Sequence, residues 1–205
     1  MSDENVLKIV ILGEGRVGKT SILSQYFNKK FDISEKSTIN PSFYEKTVNH
    51  KGQTVNLKFW DTAGQEQFNA ISTIYYQNAV GALLVYEVTN FETFDKVETW
   101  MNTLQEVVGK DISVLIIGNK YDLFDKNKMG NFTDKINAFC SKNKCQHIFT
   151  SAKTGFNVPQ AFKTLIDQVL NKVNLNSGDG VGKRKGKKLK IENVSNQENV
   201  KKGCC

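Results

Sequence analysis

Apolar and polar positions along the chain follow two periods in turn. Leu7 to Leu12 is a short apolar run stopped by Gly13, and Lys19 to Asn28 has the spacing of a helix. Phe43 to His50 and Thr54 to Asp61 alternate polar and apolar around Lys51-Gly52-Gln53, which is a hairpin signal. Ala82 to Val88 and Ile112 to Gly118 are apolar runs of buried-strand length, and His147 to Thr150 is a weaker one. Between them Phe91 to Val108, Thr133 to Asn143 and Val158 to Val173 carry helical spacing. In the last, Val158, Phe162, Leu165, Ile166, Val169 and Val173 fall on one face. Buried strands alternating with helices predict an α/β fold: a parallel sheet covered on both faces, with its ligand site at the carboxyl ends of the strands. The pattern delimits a folded domain over 6–174, preceded by a flexible start at 1–5. From 175 to 205 the chain is expected to be a disordered tail, because Ser177-Gly178-Asp179-Gly180-Val181-Gly182 breaks structure and little apolar content follows.

Composition narrows the class. With 205 residues, 39% hydrophobic and 24% charged, the chain can bury a core without disulfide or metal staples, which excludes fibrous and wholly disordered proteins. The longest uncharged apolar stretch, Ala79 to Tyr86, is far short of the roughly 18–20 residues of a spanning helix. The acidic start Met1-Ser2-Asp3-Glu4 is unlike a secretory leader. The net charge of +7 is concentrated in the tail, where eight basic residues face Asp179, Glu192 and Glu198, so the body is nearly neutral. No aromatic residue follows Phe162, so the tail has nothing on which to stack bases, and no nucleic-acid partner is expected. Cys140 and Cys145, with only His147 nearby, lack a zinc ligand set and are read as packing residues. His50 and His147 read as a hairpin and a strand residue, and Trp100 as packing.

The chemistry lies in four short segments. Gly13-Glu14-Gly15-Arg16-Val17-Gly18-Lys19-Thr20 fits G-x-x-x-x-G-K-[ST] between a buried strand and a helix. Such a loop wraps backbone N–H groups around phosphate oxygens, adds the positive end of the helix dipole, places Lys19 on the β- and γ-phosphates and offers the Thr20 hydroxyl to Mg²⁺. Asp61-Thr62-Ala63-Gly64-Gln65 follows a strand, so Asp61 could hold Mg²⁺ through a water, the Gly64 N–H could approach the γ-phosphate and Gln65 could orient an attacking water. Asn119-Lys120-Tyr121-Asp122 and Ser151-Ala152-Lys153 each follow a strand as well. The Asp122 carboxylate can accept from both N1–H and the exocyclic amine of guanine, a pairing adenine cannot supply. Lys120 can lay its stem along the base, and a backbone N–H near Ala152 can reach the guanine O6.

Together these segments resemble the Ras superfamily of small GTPases and, within it, the Rab family. The resemblance covers about residues 6 to 174 and is carried further by Leu57-Lys58-Phe59-Trp60, Ile71-Ser72-Thr73-Ile74-Tyr75-Tyr76, Leu84-Val85-Tyr86-Glu87-Val88-Thr89-Asn90 and the terminal Cys204-Cys205. It is closest to the early-endosomal branch. It implies the P-loop NTPase fold of small G proteins, a mostly parallel six-stranded sheet with one antiparallel strand and helices on both faces. It also implies a GTP-hydrolysing switch of vesicle traffic, using Mg²⁺, slow alone and accelerated by an activating protein. By resemblance, Thr38 reaches Mg²⁺ and the γ-phosphate, Ser21 joins the phosphate-binding set, and Phe31 packs against guanine. Phe43, Trp60 and Tyr75 resemble the triad through which effectors read the switches. The double cysteine resembles a geranylgeranylated end, which suits stable anchoring to an anionic, cytoplasm-facing endosomal membrane, because one lipid chain binds only marginally. Exchange factor, activating protein, dissociation inhibitor, escort protein and effectors are the implied partners of a monomer.

Pro41 and Asn40 in switch I, Gln67 in switch II and Gln77 depart from the family's usual residues and bear on partner choice. Three other classes fit the sequence less well. A P-loop ATPase or nucleotide kinase conflicts with Asn119 to Asp122, a non-hydrolysing scaffold with the presence of Thr38 and Gln65, and a basic nucleic-acid binder with charge confined to the tail.

Overall fold

The computed structural model describes residues 6–34, 37–38, 41–62, 75–124 and 130–176. Strands β1 (Val6–Leu12), β2 (Ser42–His50), β3 (Gln53–Asp61), β4 (Ala79–Glu87), β5 (Ser113–Asn119) and β6 (Gln146–Phe149) form one six-stranded sheet in the order β2-β3-β1-β4-β5-β6. All neighbours are parallel except β2 and β3. The helices are α1 (Lys19–Asn28), the short α2 (Glu92–Asp95), α3 (Val97–Val108), α4 (Gly130–Asn143) and α5 (Val158–Asn176). The expected fold class is therefore the observed one.

Side chains alternate across each strand, and so the sheet has two cores. Ile9, Ile11, Phe59, Leu83, Val85, Leu115 and Ile117 face α1 and α5, while Val10, Leu12, Ala82, Leu84, Tyr86, Val114 and Ile116 face α3 and α4. Phe162 of α5 is fully buried and its ring stacks on Tyr26 of α1 at 3.8 Å between centroids. The helical face expected from Val158 to Val173 is the one α5 turns to the sheet.

The observed elements differ from the expected ones at several ends and, for one helix, by an interior break. The hairpin turn is the pair Lys51-Gly52, with φ of 51° and 81°, and Gln53 already pairs with His50. Two positive φ values make a tight turn of the primed type, whose twist matches the strands. The helix expected over Phe91 to Val108 is divided by a turn at Lys96, whose dihedrals stay in the right-handed helical region. No helix among the described residues is long and apolar enough to cross a membrane. Helix α5 runs to Asn176, two residues into the expected tail, and residues 177–205, with Cys204 and Cys205, lie outside the described residues.

In-register pairing aligns the carboxyl ends. Ile11 lies beside Asp61, Leu12 beside Leu84 and Glu87 beside Asn119, so the segments leaving these strands emerge along one edge. Replacing Phe162 with Ala should open a cavity between α5, α1 and the sheet and cost about 3–5 kcal/mol, read as a lowered urea midpoint with an unchanged slope.

Candidate functional site

A cleft of about 860 Å³ runs along that edge. The phosphate-loop residues Gly15, Arg16, Gly18, Lys19, Thr20 and Ser21 line one part of it, and Asn119, Lys120, Asp122, Ala152 and Lys153 the other, with Phe31 and Thr38 at its mouth. Gly13, Val17, Asp61 and Ser151 stand just behind the wall and hold it in place. Gly64 and Gln65 lie outside the described residues.

The loop from Gly13 to Gly18 depends on backbone that only glycine supplies. Gly13 has φ of 143° and a Cβ there would lie 2.1 Å from the Val85 carbonyl oxygen; Gly18 has φ of 94° and a Cβ would lie 2.4 Å from Asn119 Nδ2. Lys19 folds back over the loop and donates from Nζ to the carbonyls of Gly13 and Glu14, both at 2.8 Å. Its burial lowers its pKa to about 8, an effect opposed by the charges of Asp61 and Glu14. A buried ammonium held by neutral carbonyls is short of counter-charge, which phosphate oxygens would supply.

Beside it three oxygen groups converge. Thr20 Oγ1 lies 2.6 Å from Thr38 Oγ1 and donates to Asp61 Oδ2 at 2.7 Å. Two hydroxyls and a buried carboxylate are a hard-oxygen donor set of the kind that suits Mg²⁺ with phosphate and water completing the shell. The three residues expected to meet at a metal are thus brought together.

At the other end Asn119 acts as a strut. Its Nδ2 donates to the Val17 carbonyl at 2.9 Å, while its Oδ1 accepts from the Ala152 N–H at 3.1 Å and from Thr150 Oγ1 at 3.3 Å. The Ala152 amide, expected near the base carbonyl, serves this strut. Asp122 is exposed toward the cleft and held by Ser151 Oγ, which donates to its Oδ1 at 2.5 Å, leaving carboxylate capacity for two donors on a ligand. Lys120, at φ of 64°, pairs with Glu87 Oε2 at 2.5 Å, which fixes its stem along the cleft wall.

Glu87 was not singled out from the sequence, and its signal was its place at the end of β4 beside Asn119. A second unforeseen contact runs from Trp100 Nε1 to Glu14 Oε1 at 3.1 Å, tying α3 to the phosphate loop. Phe43, Trp60 and Tyr75 form a continuous aromatic row, with centroid separations of 5.5 and 6.0 Å. Lys58 lies over the Phe43 ring and Lys8 over Trp60, at 4.0 and 4.7 Å. His147 is a half-buried strand residue, as expected of a strand position, its pKa lowered to about 4 by desolvation and its Nε2 2.9 Å from the Tyr86 hydroxyl.

The family model described as Ras family matches residues 8–171. Ras-related protein RIC2 of Oryza sativa subsp. japonica is 37% identical over 203 residues, covering 98% of this chain and 93% of the relative. GTP-binding protein ypt3 of Schizosaccharomyces pombe is 35% identical over 207 residues, 98% of this chain and 96% of the relative. Ras-related protein Rab-11A of Dictyostelium discoideum is 39% identical over 162 residues, 79% of this chain and 75% of the relative.

The lowered Lys19 pKa has a sign that can be measured. From about pH 8 upward the folded protein gives up a proton that the unfolded chain keeps until about 10.5, so the stability of the ligand-free protein should rise with pH across that window. Denaturation of wild type against Lys19→Met, at about pH 7.5 and about pH 9.5, isolates this group from others that titrate there. The wild type should gain relative to the variant; parallel pH profiles would mean that burial does not depress the lysine.

Proposed function

Because the chain belongs to the Ras family and, within it, to the Rab small GTPases, we propose that it is a GTP-hydrolysing switch of endosomal membrane traffic held to the membrane by a prenylated tail. Ras-family small GTPases bind GTP and GDP and hydrolyse GTP, and Rab relatives regulate vesicle traffic. The observation that carries the fuller reading is the polarity of the cleft: a buried lysine and three oxygen groups at one end, and at the other an exposed carboxylate held by Ser151 with room for two further donors.

Lys19 and the backbone amides of Gly15 to Thr20 hold the phosphates. Thr20, Thr38 and, through a water, Asp61 would hold Mg²⁺, which when bound supplies positive charge against the β- and γ-phosphates. Asp122 accepts from N1–H and the exocyclic amine of guanine, Lys120 and Phe31 cover the base, and Gln65 orients the attacking water. Phosphoryl transfer to water needs charge stabilisation and alignment rather than a covalent intermediate. The chain has two arginines, Arg16, which is exposed on the phosphate loop, and Arg184 in the tail, and on this reading neither meets the transition state. Intrinsic turnover is therefore slow, and a partner supplying an arginine accelerates it by about 10³–10⁵. Loss of the γ-phosphate releases Thr38 and Gly64, and effectors read the change through Phe43, Trp60 and Tyr75. Geranylgeranyl chains on Cys204 and Cys205 anchor the protein, with the tail lysines adding about 1 kcal/mol each at an acidic leaflet.

The test is single-turnover GTP hydrolysis with Mg²⁺ on wild type and Gln65→Leu, with ATP as competitor. Slow hydrolysis, lost in the variant and indifferent to ATP, is expected; displacement of GTP by ATP would overturn the base assignment. Asp122→Asn should shift preference from guanine to xanthine nucleotides, and unchanged GTP affinity would contradict the role of that carboxylate. Salt should promote release of the prenylated protein from acidic vesicles, whereas salt-insensitive retention would remove charge from the anchoring account.

A further inference from the structure

Helix α4 ends in a Schellman cap whose two contact residues are both cysteines. Lys144 takes a left-handed φ of 52°, the Cys145 N–H donates to the Cys140 carbonyl at 3.1 Å, and the Lys144 N–H donates to that of Ser141 at 3.4 Å. These are the two defining bonds of the motif, and the side chains that meet across it belong to the residues at the positions of Cys140 and Cys145. The two thiols are close enough for each to shift the other's acidity, pack against the same buried cluster, and keep partial exposure to solvent.

We propose that Cys140 and Cys145 are a redox modification site, closing to an intramolecular disulfide that locks the end of α4 to the start of β6. The backbone bond of 3.1 Å between the nitrogen of one residue and the carbonyl of the other holds their α-carbons within the roughly 4–7 Å that a disulfide spans. The oxidant is a peroxide. The Cys140 thiol gives its proton to solvent, the thiolate attacks one peroxide oxygen, the O–O bond breaks, and a sulfenic acid forms as hydroxide leaves and takes up that proton as water. The Cys145 sulfur, losing its proton, then attacks the sulfenic sulfur, and the S–S bond forms as a second water leaves. Hydrogen bonding from the Cys145 thiol pushes the Cys140 thiol down and holds the Cys145 thiol up, which assigns attack to the first and resolution to the second. Strand β6 leads directly into Thr150, Ser151 and Ala152, so the lock stiffens the chain entering the cleft.

The full-length protein, with bound nucleotide, is treated with hydrogen peroxide, alkylated and digested with trypsin. Lys142 and Lys144 lie between the cysteines, so Cys140 and Cys145 fall in separate peptides, 136–142 and 145–153, away from Cys204 and Cys205. A cross-linked peptide joining those two, from a chain that runs as a monomer without reductant and reverts with dithiothreitol, is the expected result. Recovery of both peptides singly alkylated, or of Cys140 joined to another molecule or to the tail, would overturn the proposal. In Cys145→Ser, the Cys140 sulfenic acid should persist and be captured by dimedone; no capture there would overturn the assignment of Cys140 as the attacking thiol.

Discussion

The Asn119 amide is almost wholly buried, and its bonds reach the phosphate loop at Val17 and the last loop of the cleft at Thr150 and Ala152. Neither end of the cleft is placed independently once that amide is in position. A buried amide left without a partner costs about 1–3 kcal/mol per lost bond, so the three loops are held as a unit or not at all. The constraint propagates into sequence. Asn119 Nδ2 occupies the space a Cβ on residue 18 would need, so Gly18 is glycine for the strut as much as for its own positive φ. The distance between the phosphate loop and the far end of the cleft is thereby set by side-chain hydrogen bonds rather than by loop length.

Charge is distributed along the cleft with the same economy. At one end Lys19 is stripped of solvent and leans on carbonyls, a condition that a phosphate improves; at the other Lys120 already has its partner in Glu87. The first lysine is thus prepared to bind an anion and the second to present an aliphatic wall. Glu14 contributes to both packing and electrostatics, since its carboxylate meets Trp100 on α3 while its charge counters the depression of the Lys19 pKa.

Most of this was legible where the relevant residues are neighbours in sequence. The phosphate loop, the strands that precede each motif and the hairpin follow from spacing, because a turn, a strand period or a helix dipole acts over a few residues, while the six-stranded sheet with one antiparallel strand came from the family resemblance. What stayed hidden joins positions far apart: Glu87 to Lys120 across 33 positions and Glu14 to Trp100 across 86. No periodicity encodes such pairs, and only the register of β4 against β5 and the docking of α3 bring them together. The spacing of Cys140 and Cys145 was visible too, yet its meaning depends on where α4 ends. That end is set by Lys144 adopting a left-handed conformation that ordinarily favours glycine or asparagine.

The two halves of the cleft differ in what holds them, and that difference is what a switch requires. Asn119, Ser151 and Lys19 are buried and tied to backbone or to one another, an arrangement expected to persist whatever the ligand. Thr38 is tied to the rest of the site by a hydroxyl contact to Thr20, and its neighbours Ser34 and Ser37 are exposed, as is Ile33 at 89%. Segments with few buried contacts open at low free-energy cost. On the proposed reading, a ligand that adds or removes one phosphate at this end would reset the contact of Thr38 with Thr20 without disturbing the Asn119 strut.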